Sequence, residues 1–182
     1  MKNVVIRMEP TTNPHYTSNV RSFLTDRENR DIGGGLVLWR GYFQSIRPAV
    51  GRMLINVDIS TGVMYKPGNL LHLCMQFFGR NDPNILAPRR GLPDHERVKL
   101  QRFLTGIRIF TINPETGVTN TTRPRIVKRV STTGASDLTF SLRVGEQMTV
   151  AQYFRNTYGH ALQYPDVICV EVSQPCNTVS ER

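Results

Sequence analysis

Alternating apolar and polar positions predict strands along most of the chain. The pattern is clearest from Arg52 to Ser60, where every second residue is apolar (Met53, Ile55, Val57, Ile59). Successive side chains of a strand point to opposite faces, so this alternation is typical of a half-buried strand. Similar patterns predict further strands at 1–8, 107–112, 125–130, 138–144 and 168–172.

Three shorter segments have helical patterns. The apolar run Asn69–Phe78 predicts one helix, with Asn69 as its cap, and Asp94 is expected to cap a second helix that ends at Leu104. A third helix is predicted to start near Thr149 and to end by Gly159. Three prolines and two glycines lie between Gly79 and Pro93, which predicts a boundary between two modules there. The predicted fold class is therefore α+β and β-rich.

Length and cysteine content limit the cellular setting. The chain has 182 residues, enough for one domain or two small ones. Its longest nearly apolar run, Leu70–Phe78, is far shorter than the ~20 residues of a membrane helix, and the N-terminus lacks an apolar stretch of signal-peptide length. The three cysteines have no metal-ligand spacing, which favours a reduced compartment. We therefore expect a cytoplasmic protein, with the nucleus as the alternative, and no membrane contact.

Positive charge is concentrated in the second module. The net charge is +9, and 19 of the 23 basic residues are Arg, whose planar guanidinium suits phosphate. Residues 89–129 hold ten basic and three acidic residues. This excess favours a polyanionic partner, and a solvated basic face is the alternative.

The densest basic stretch predicts a row of cations on one strand face. Residues two apart share a face, so Arg123, Arg125, Val127 and Arg129 are expected to point the same way. Pro124 lacks an amide hydrogen, which favours an edge strand where such a row would be accessible to phosphates.

Aromatic residues follow the basic stretch, at Phe140, Tyr153, Phe154 and Tyr158. Rings and cations together are typical of proteins that bind single-stranded nucleic acid. Phe154 is expected to be buried in the core. Tyr153 and Tyr158 lie about 140° apart on an ideal helix, so they are predicted to converge only if the helix ends before Tyr158.

Known catalytic patterns are absent from the sequence. It contains no Gly-x-Ser-x-Gly element, the triplet Gly33–Gly35 lacks the Gly-Lys-Ser/Thr of a phosphate loop, and the four histidines are scattered. The acidic pairs Asp26/Glu28 and Asp94/Glu96 are better explained as turn and helix-start residues than as metal ligands. We expect no enzymatic activity, no metal and no cofactor.

Two segments resemble fungal Argonautes. The segment Asp31–Pro48, followed by Leu54–Ser60 and Tyr65–Gly68, is similar to the first linker domain of that family. The segments Asp94–Ile112 and Thr149–Pro165 resemble its PAZ domain. The resemblance implies an end of an N domain at 1–30, a linker-1 domain at 31–91 and a PAZ domain at 92–182. In Argonautes a PAZ domain is an OB-like β-barrel with an inserted αβ element.

The resemblance also implies a function and its residues. A PAZ domain grips the 3′ end of a small guide RNA, single-stranded or as a two-nucleotide overhang, in RNA silencing. Tyr153 and Tyr158 would bond the phosphate near the terminus, Phe140 would pack against the last nucleotide, and Arg123, Arg125 and Arg155 would contact the backbone. Other RNA-silencing proteins are a further expected class of partner. The catalytic domain of Argonautes does not follow, so cleavage of RNA is not expected.

Departures from the family pattern leave an alternative open. Asn113 stands where animal homologues often have a phosphate-contacting His, and Arg125 replaces an aromatic. Residues 174–182 do not continue the family's Tyr-Leu-Pro strand, which helps to close the pocket. The alternative is a truncated Argonaute-like fragment that acts as a protein-interaction scaffold with impaired RNA binding.

Overall fold

The computed structural model describes residues 17–18, 22–112, 116–141 and 147–173, with side chains from Ser22 onwards except at 121–123. These residues belong to two compact units that divide between Asn69 and Leu70. The predicted strand at 1–8, the tail at 174–182 and Asn113 lie outside the described residues, as does the second half of the strand predicted at 138–144. No helix in the described part is long and apolar enough to cross a membrane.

The first unit is an antiparallel sheet of four strands. In both chain and spatial order these are β1 (Thr17–Ser18), β2 (Ser22–Gly33), β3 (Leu36–Ala49) and β4 (Arg52–Tyr65). Gly34 and Gly35 join β2 to β3 with φ of +62° and +77°, a left-handed pair that suits a two-residue hairpin turn. The strand predicted at 52–60 continues to Tyr65, since β4 pairs with β3 along its whole length.

The second unit combines three helices with two small sheets. Its helices are α1 (Leu70–Phe78), α2 (Asp94–Leu104) and α3 (Val150–Tyr158), and two short 3₁₀ turns at Pro83–Leu86 and Pro88–Arg90 lie between α1 and α2. One sheet has the order β5 (Arg108–Ile112), β6 (Thr119–Gly134), β9 (Ile168–Val172), and the other pairs β7 (Thr139–Ser141) with β8 (Gln147–Thr149). Both sheets are antiparallel.

The core of the second unit lies between the helices and the three-stranded sheet. Leu73 and Cys74 of α1, Leu100 and Leu104 of α2, and Val127 of β6 are buried together. Helix α1, which the resemblance places inside a 31–91 linker domain, thus packs into the second unit. The three domain ranges themselves stay predictions.

The predicted α+β, strand-rich class is confirmed. The described strands form open sheets of four, three and two strands, without a closed barrel among them. The helix boundaries also match, but the cap of α2 differs from the prediction. Pro93 occupies the N-cap position without a side-chain bond, while Asp94 is the first helical residue and pairs with Arg97.

Pro124 was expected on an edge strand. Strand β6 as a whole lies between β5 and β9, but β9 pairs with it only from Val127 onwards, so β5 is the one described neighbour of the stretch around Pro124. Pro124 is accommodated by a bulge, because Ile109 of β5 pairs with Arg125 whereas Thr111 pairs with Asn120. The four β6 residues 121–124 therefore lie opposite the single β5 residue Phe110. Such a bulge needs no ladder hydrogen bond from proline.

Candidate nucleic-acid interface

The turn at 134–138, at the end of β6, positions strand β7 and helix α3, the two elements that carry the candidate site. The amide of Val150 donates to the carbonyl of Leu138 (3.0 Å), and the amide of Ala151 donates to the carbonyl of Ala135 (3.0 Å). These bonds fasten the start of α3 to residues 134–138, which lead directly into β7. A Cβ on Gly134 would lie 2.4 Å from the carbonyl oxygen of Asp166, so only glycine fits this close approach.

Helix α3 has defined ends. The hydroxyl of Thr149 accepts from the Gln152 amide (3.2 Å), and the Gln152 side chain accepts from the Thr149 amide (3.0 Å). This reciprocal pair is a capping box, which stabilises a helix start. Gly159 ends the helix with φ +67°, and its amide donates to the carbonyl of Arg155 (3.0 Å).

Four rings from β7 and α3 form one aromatic cluster: Phe140, Tyr153, Phe154 and Tyr158. Tyr153 lies at its centre, with its ring centroid 5.5 Å from that of Phe140 and 6.3 Å from that of Tyr158. Both contacts are edge-to-face, a favourable geometry for aromatic pairs. Phe154 completes the cluster, 5.3 Å from Tyr158.

Two predictions about these rings are corrected. Tyr158 belongs to α3, yet its ring contacts that of Tyr153, because two long side chains can bridge an angle of 140° that separates their Cα positions. Phe154 is not a buried core residue, since it is only half-buried, as are both tyrosines.

The aromatic cluster is partly exposed to solvent. Phe140 is 37% exposed. Among the described residues neither the hydroxyl of Tyr153 nor that of Tyr158 has a hydrogen-bond partner. The cluster can therefore offer a ring face for stacking on a base and two O–H groups that can donate to phosphate oxygens.

The three arginines predicted to contact the RNA backbone lie in different environments. Arg155 lies exposed on α3, and Arg125 is half-buried on β6; neither forms an ion pair with another described residue. The side chain of Arg123 lies outside the described residues. Other cations of the basic stretch are already used internally, such as Arg97 with Asp94 (2.7 Å).

The predicted row of cations on one face of β6 is wrong. Val127 is buried in the core, at 1% exposure, whereas the side chain of Arg129 is exposed and pairs with Glu171. Lys128 is an extra residue of β6 relative to β9, since Val127 pairs with Val172 and Arg129 with Glu171. This bulge breaks the alternation on which the prediction depended.

One polar contact near the site was not predicted. Arg89, just after Pro88 in the second 3₁₀ turn, bonds the carboxylate of Asp137 (2.5 Å), which directly precedes the segment leading to β7. No pattern in the sequence predicts an ion pair whose two residues are 48 positions apart. This ion pair ties the 3₁₀ turn to the turn that leads into β7, the strand of Phe140.

The described cysteines do not supply a reactive thiolate. Burial raises the pKa of Cys74 from 9.0 to about 12, and burial also raises the pKa of Cys169. A thiol with a raised pKa stays protonated at neutral pH and is a poor nucleophile and metal ligand. Among the described residues no group of three or more His, Cys, Asp or Glu could hold a metal ion.

Comparison with known families gives two matches. An Argonaute linker 1 domain matches residues 20–66, and a PAZ domain matches residues 83–180. The PAZ match spans more than half of the chain, so this is a PAZ-domain protein. With the adjoining linker, the chain belongs to the Argonaute family.

Individual proteins agree with this assignment. The chain is 33% identical over 179 residues to rice Protein argonaute 14, covering 97% of this chain and 16% of that protein. It is 32% identical to rice Protein argonaute MEL1, covering 93% of this chain and 15% of that protein. The chain thus spans about a sixth of the length of these relatives. The crystal structure of Kluyveromyces polysporus Argonaute with a guide RNA has a similar fold, with a TM-score of 0.55 and 11% identity, covering 92% of this chain and 21% of that chain.

Proposed function

We propose that this chain binds the 3′ end of a small guide RNA and does not cleave it. The observation that carries the proposal is the aromatic cluster, in which Phe140, Tyr153 and Tyr158 are in contact and open to solvent. A 3′-terminal nucleotide fits this surface, because its base can stack on a ring and its phosphate can accept hydrogen bonds from the two hydroxyls. Arg155 and Arg125 add positive charge, and Arg123 stays a predicted contact.

The absence of catalysis is part of the proposal. The matched domains are a linker and a PAZ domain, and neither is the catalytic domain of an Argonaute. Affiliation with fungal Argonautes stays a prediction, since the two relatives compared above are rice proteins. Cytoplasmic or nuclear localisation and contacts with other proteins of RNA silencing also stay predictions.

An overhang test examines the proposal directly. We expect a duplex RNA with a two-nucleotide 3′ overhang to bind about tenfold or more tightly than a blunt duplex of equal length, because only the overhang offers an unpaired base to stack, worth about 1–3 kcal/mol. Fluorescence anisotropy at a fixed salt concentration measures both affinities. Phe140→Ala should reduce the preference, whereas Phe110→Ala, an exposed ring on β5, should keep it. Equal binding of the two duplexes would contradict end recognition.

The scaffold alternative has one observation in its favour. Strand β4 of the first unit exposes several large apolar side chains, including Ile55, Val57 and Ile59. Exposed apolar patches often mark protein interaction sites. This surface lies in the first unit, so it does not compete with the aromatic cluster for residues.

A further inference from the structure

A row of apolar side chains is exposed on the outer strand of the first unit. Ile55, Val57 and Ile59 are 61%, 62% and 84% exposed. They follow one another at every second position of β4, so they share one face. Among the described strands β4 has a neighbour on one side only, because it ends the order β1-β2-β3-β4. A long apolar edge strand is a template for pairing with another strand.

The open edge of β4 also presents backbone groups. The amide of Ile59 donates to the carboxylate of Asp58 (2.9 Å), which indicates that this amide points away from β3. Strand β4 pairs with β3 residue by residue without a bulge, so backbone direction alternates regularly along it. The amides of Val57 and Ile55 therefore face the open edge as well.

We propose that a second copy of this chain pairs with β4 in antiparallel register, about a two-fold axis at Ile55. In this register Ile55 faces its own counterpart, and Arg52 of each copy faces Asp58 of the other. Arg52 and Asp58 are the only charged residues of β4. A shift of the axis by one residue in either direction would separate them, so charge complementarity selects the register.

The strand geometry favours this charge pairing. Because Ile55 and Val57 direct their amides to the open edge, Arg52 and Asp58 would form a non-hydrogen-bonded pair, in which facing side chains lie closer together. The two-fold axis makes the contact twice. The net charge of +9 does not oppose it strongly, since residues 22–69 hold six basic and four acidic residues. At physiological salt, the repulsion between charges more than about 8 Å apart is largely screened.

Sedimentation velocity on the 182-residue chain across a wide concentration range tests the proposal. We expect a concentration-dependent dimer. Arg52→Asp and Asp58→Arg should each raise its dissociation constant about tenfold or more, because two like-charge pairs replace two opposite-charge pairs. Arg27→Asp, the same charge change at an exposed position of β2, should leave the constant unchanged.

Mixing the two single variants tests the register itself. The first has acidic residues at both positions and the second has basic residues at both, so an equimolar mixture should recover an affinity close to that of the unmodified chain. The double variant Arg52→Asp/Asp58→Arg should recover it too. A chain that stays monomeric at every concentration, or a mixture no tighter than either variant alone, would overturn the proposal. A chain that stays monomeric because a different partner binds β4 would overturn the proposal in the same way.

Discussion

Tyr153 and Tyr158 each contribute a ring and a hydroxyl to the candidate site. The rings contact each other and Tyr153 contacts Phe140, so the position of each ring depends on its neighbours. The hydroxyls have no hydrogen-bond partner among the described residues. Ring and hydroxyl can therefore be tested separately.

Replacing either tyrosine with phenylalanine removes the hydroxyl and keeps the ring. We expect Tyr153→Phe and Tyr158→Phe each to raise the dissociation constant for an overhang RNA about tenfold, since a hydrogen bond to a charged group contributes about 1.5–3 kcal/mol. Anisotropy titration measures the change. Tyr164→Phe is the matched control, because its hydroxyl accepts from the Gln163 side chain (3.1 Å) outside the cluster. Unchanged affinity in both cluster variants would show that the hydroxyls do not bond the phosphate.

Cys74 reports on the closure of the core. Because burial raises its pKa to about 12, very little thiolate is present at pH 8. We expect iodoacetamide to label Cys74 at least a hundredfold more slowly in the folded chain than in urea, as measured by peptide mass spectrometry over time. Labelling at the rate of the unfolded chain would show that the core of the second unit is not closed around this residue.

At the scale of elements, the turn 134–138 joins the three-stranded sheet to both elements of the aromatic cluster. Its backbone bonds the start of α3, and Ser136 bonds the carboxylate of Asp166 (3.0 Å). The position of Phe140 relative to Tyr153 therefore depends on this turn.

Gly134→Ala should disturb this junction. The added Cβ would lie 2.4 Å from the backbone of Asp166, and such overpacking typically costs about 1–3 kcal/mol. We expect urea denaturation to show a loss of free energy of unfolding in this range, accompanied by weaker RNA binding. Thr132→Ala, an exposed change on the same strand, should alter stability by less than about 0.5 kcal/mol. Equal stabilities would mean that the close approach is not required.

Elements with local signals were predictable from the sequence. Helix α3 begins with a capping box formed by Thr149 and Gln152 and ends at Gly159, and its predicted bounds are confirmed. The bulges of β6 were not predictable, because they depend on how this strand pairs with β5 and β9, which are distant in sequence. For that reason the predicted row of cations through Val127 was wrong.

At the scale of the whole molecule, charge and aromatic content indicated a nucleic-acid partner without indicating its geometry. Composition could not show that Arg97 and Arg129 are engaged in ion pairs while Arg155 and Arg125 are not paired with described residues. The contact between Phe140 and Tyr153 likewise requires the fold, since it depends on the pairing of β7 with β8 before α3 begins. The roles of the six predicted RNA-binding residues stay predictions.

The most direct measurement compares the two ends of one short single-stranded RNA. Three forms are titrated by competition at constant salt: both ends free, a bulky group on the 3′ hydroxyl, and the same group on the 5′ end. The account predicts that blocking the 3′ end raises the dissociation constant about tenfold or more, through loss of the stacked and bonded terminal nucleotide, while blocking the 5′ end changes it little. Equal affinity for the three forms would contradict recognition of the 3′ end.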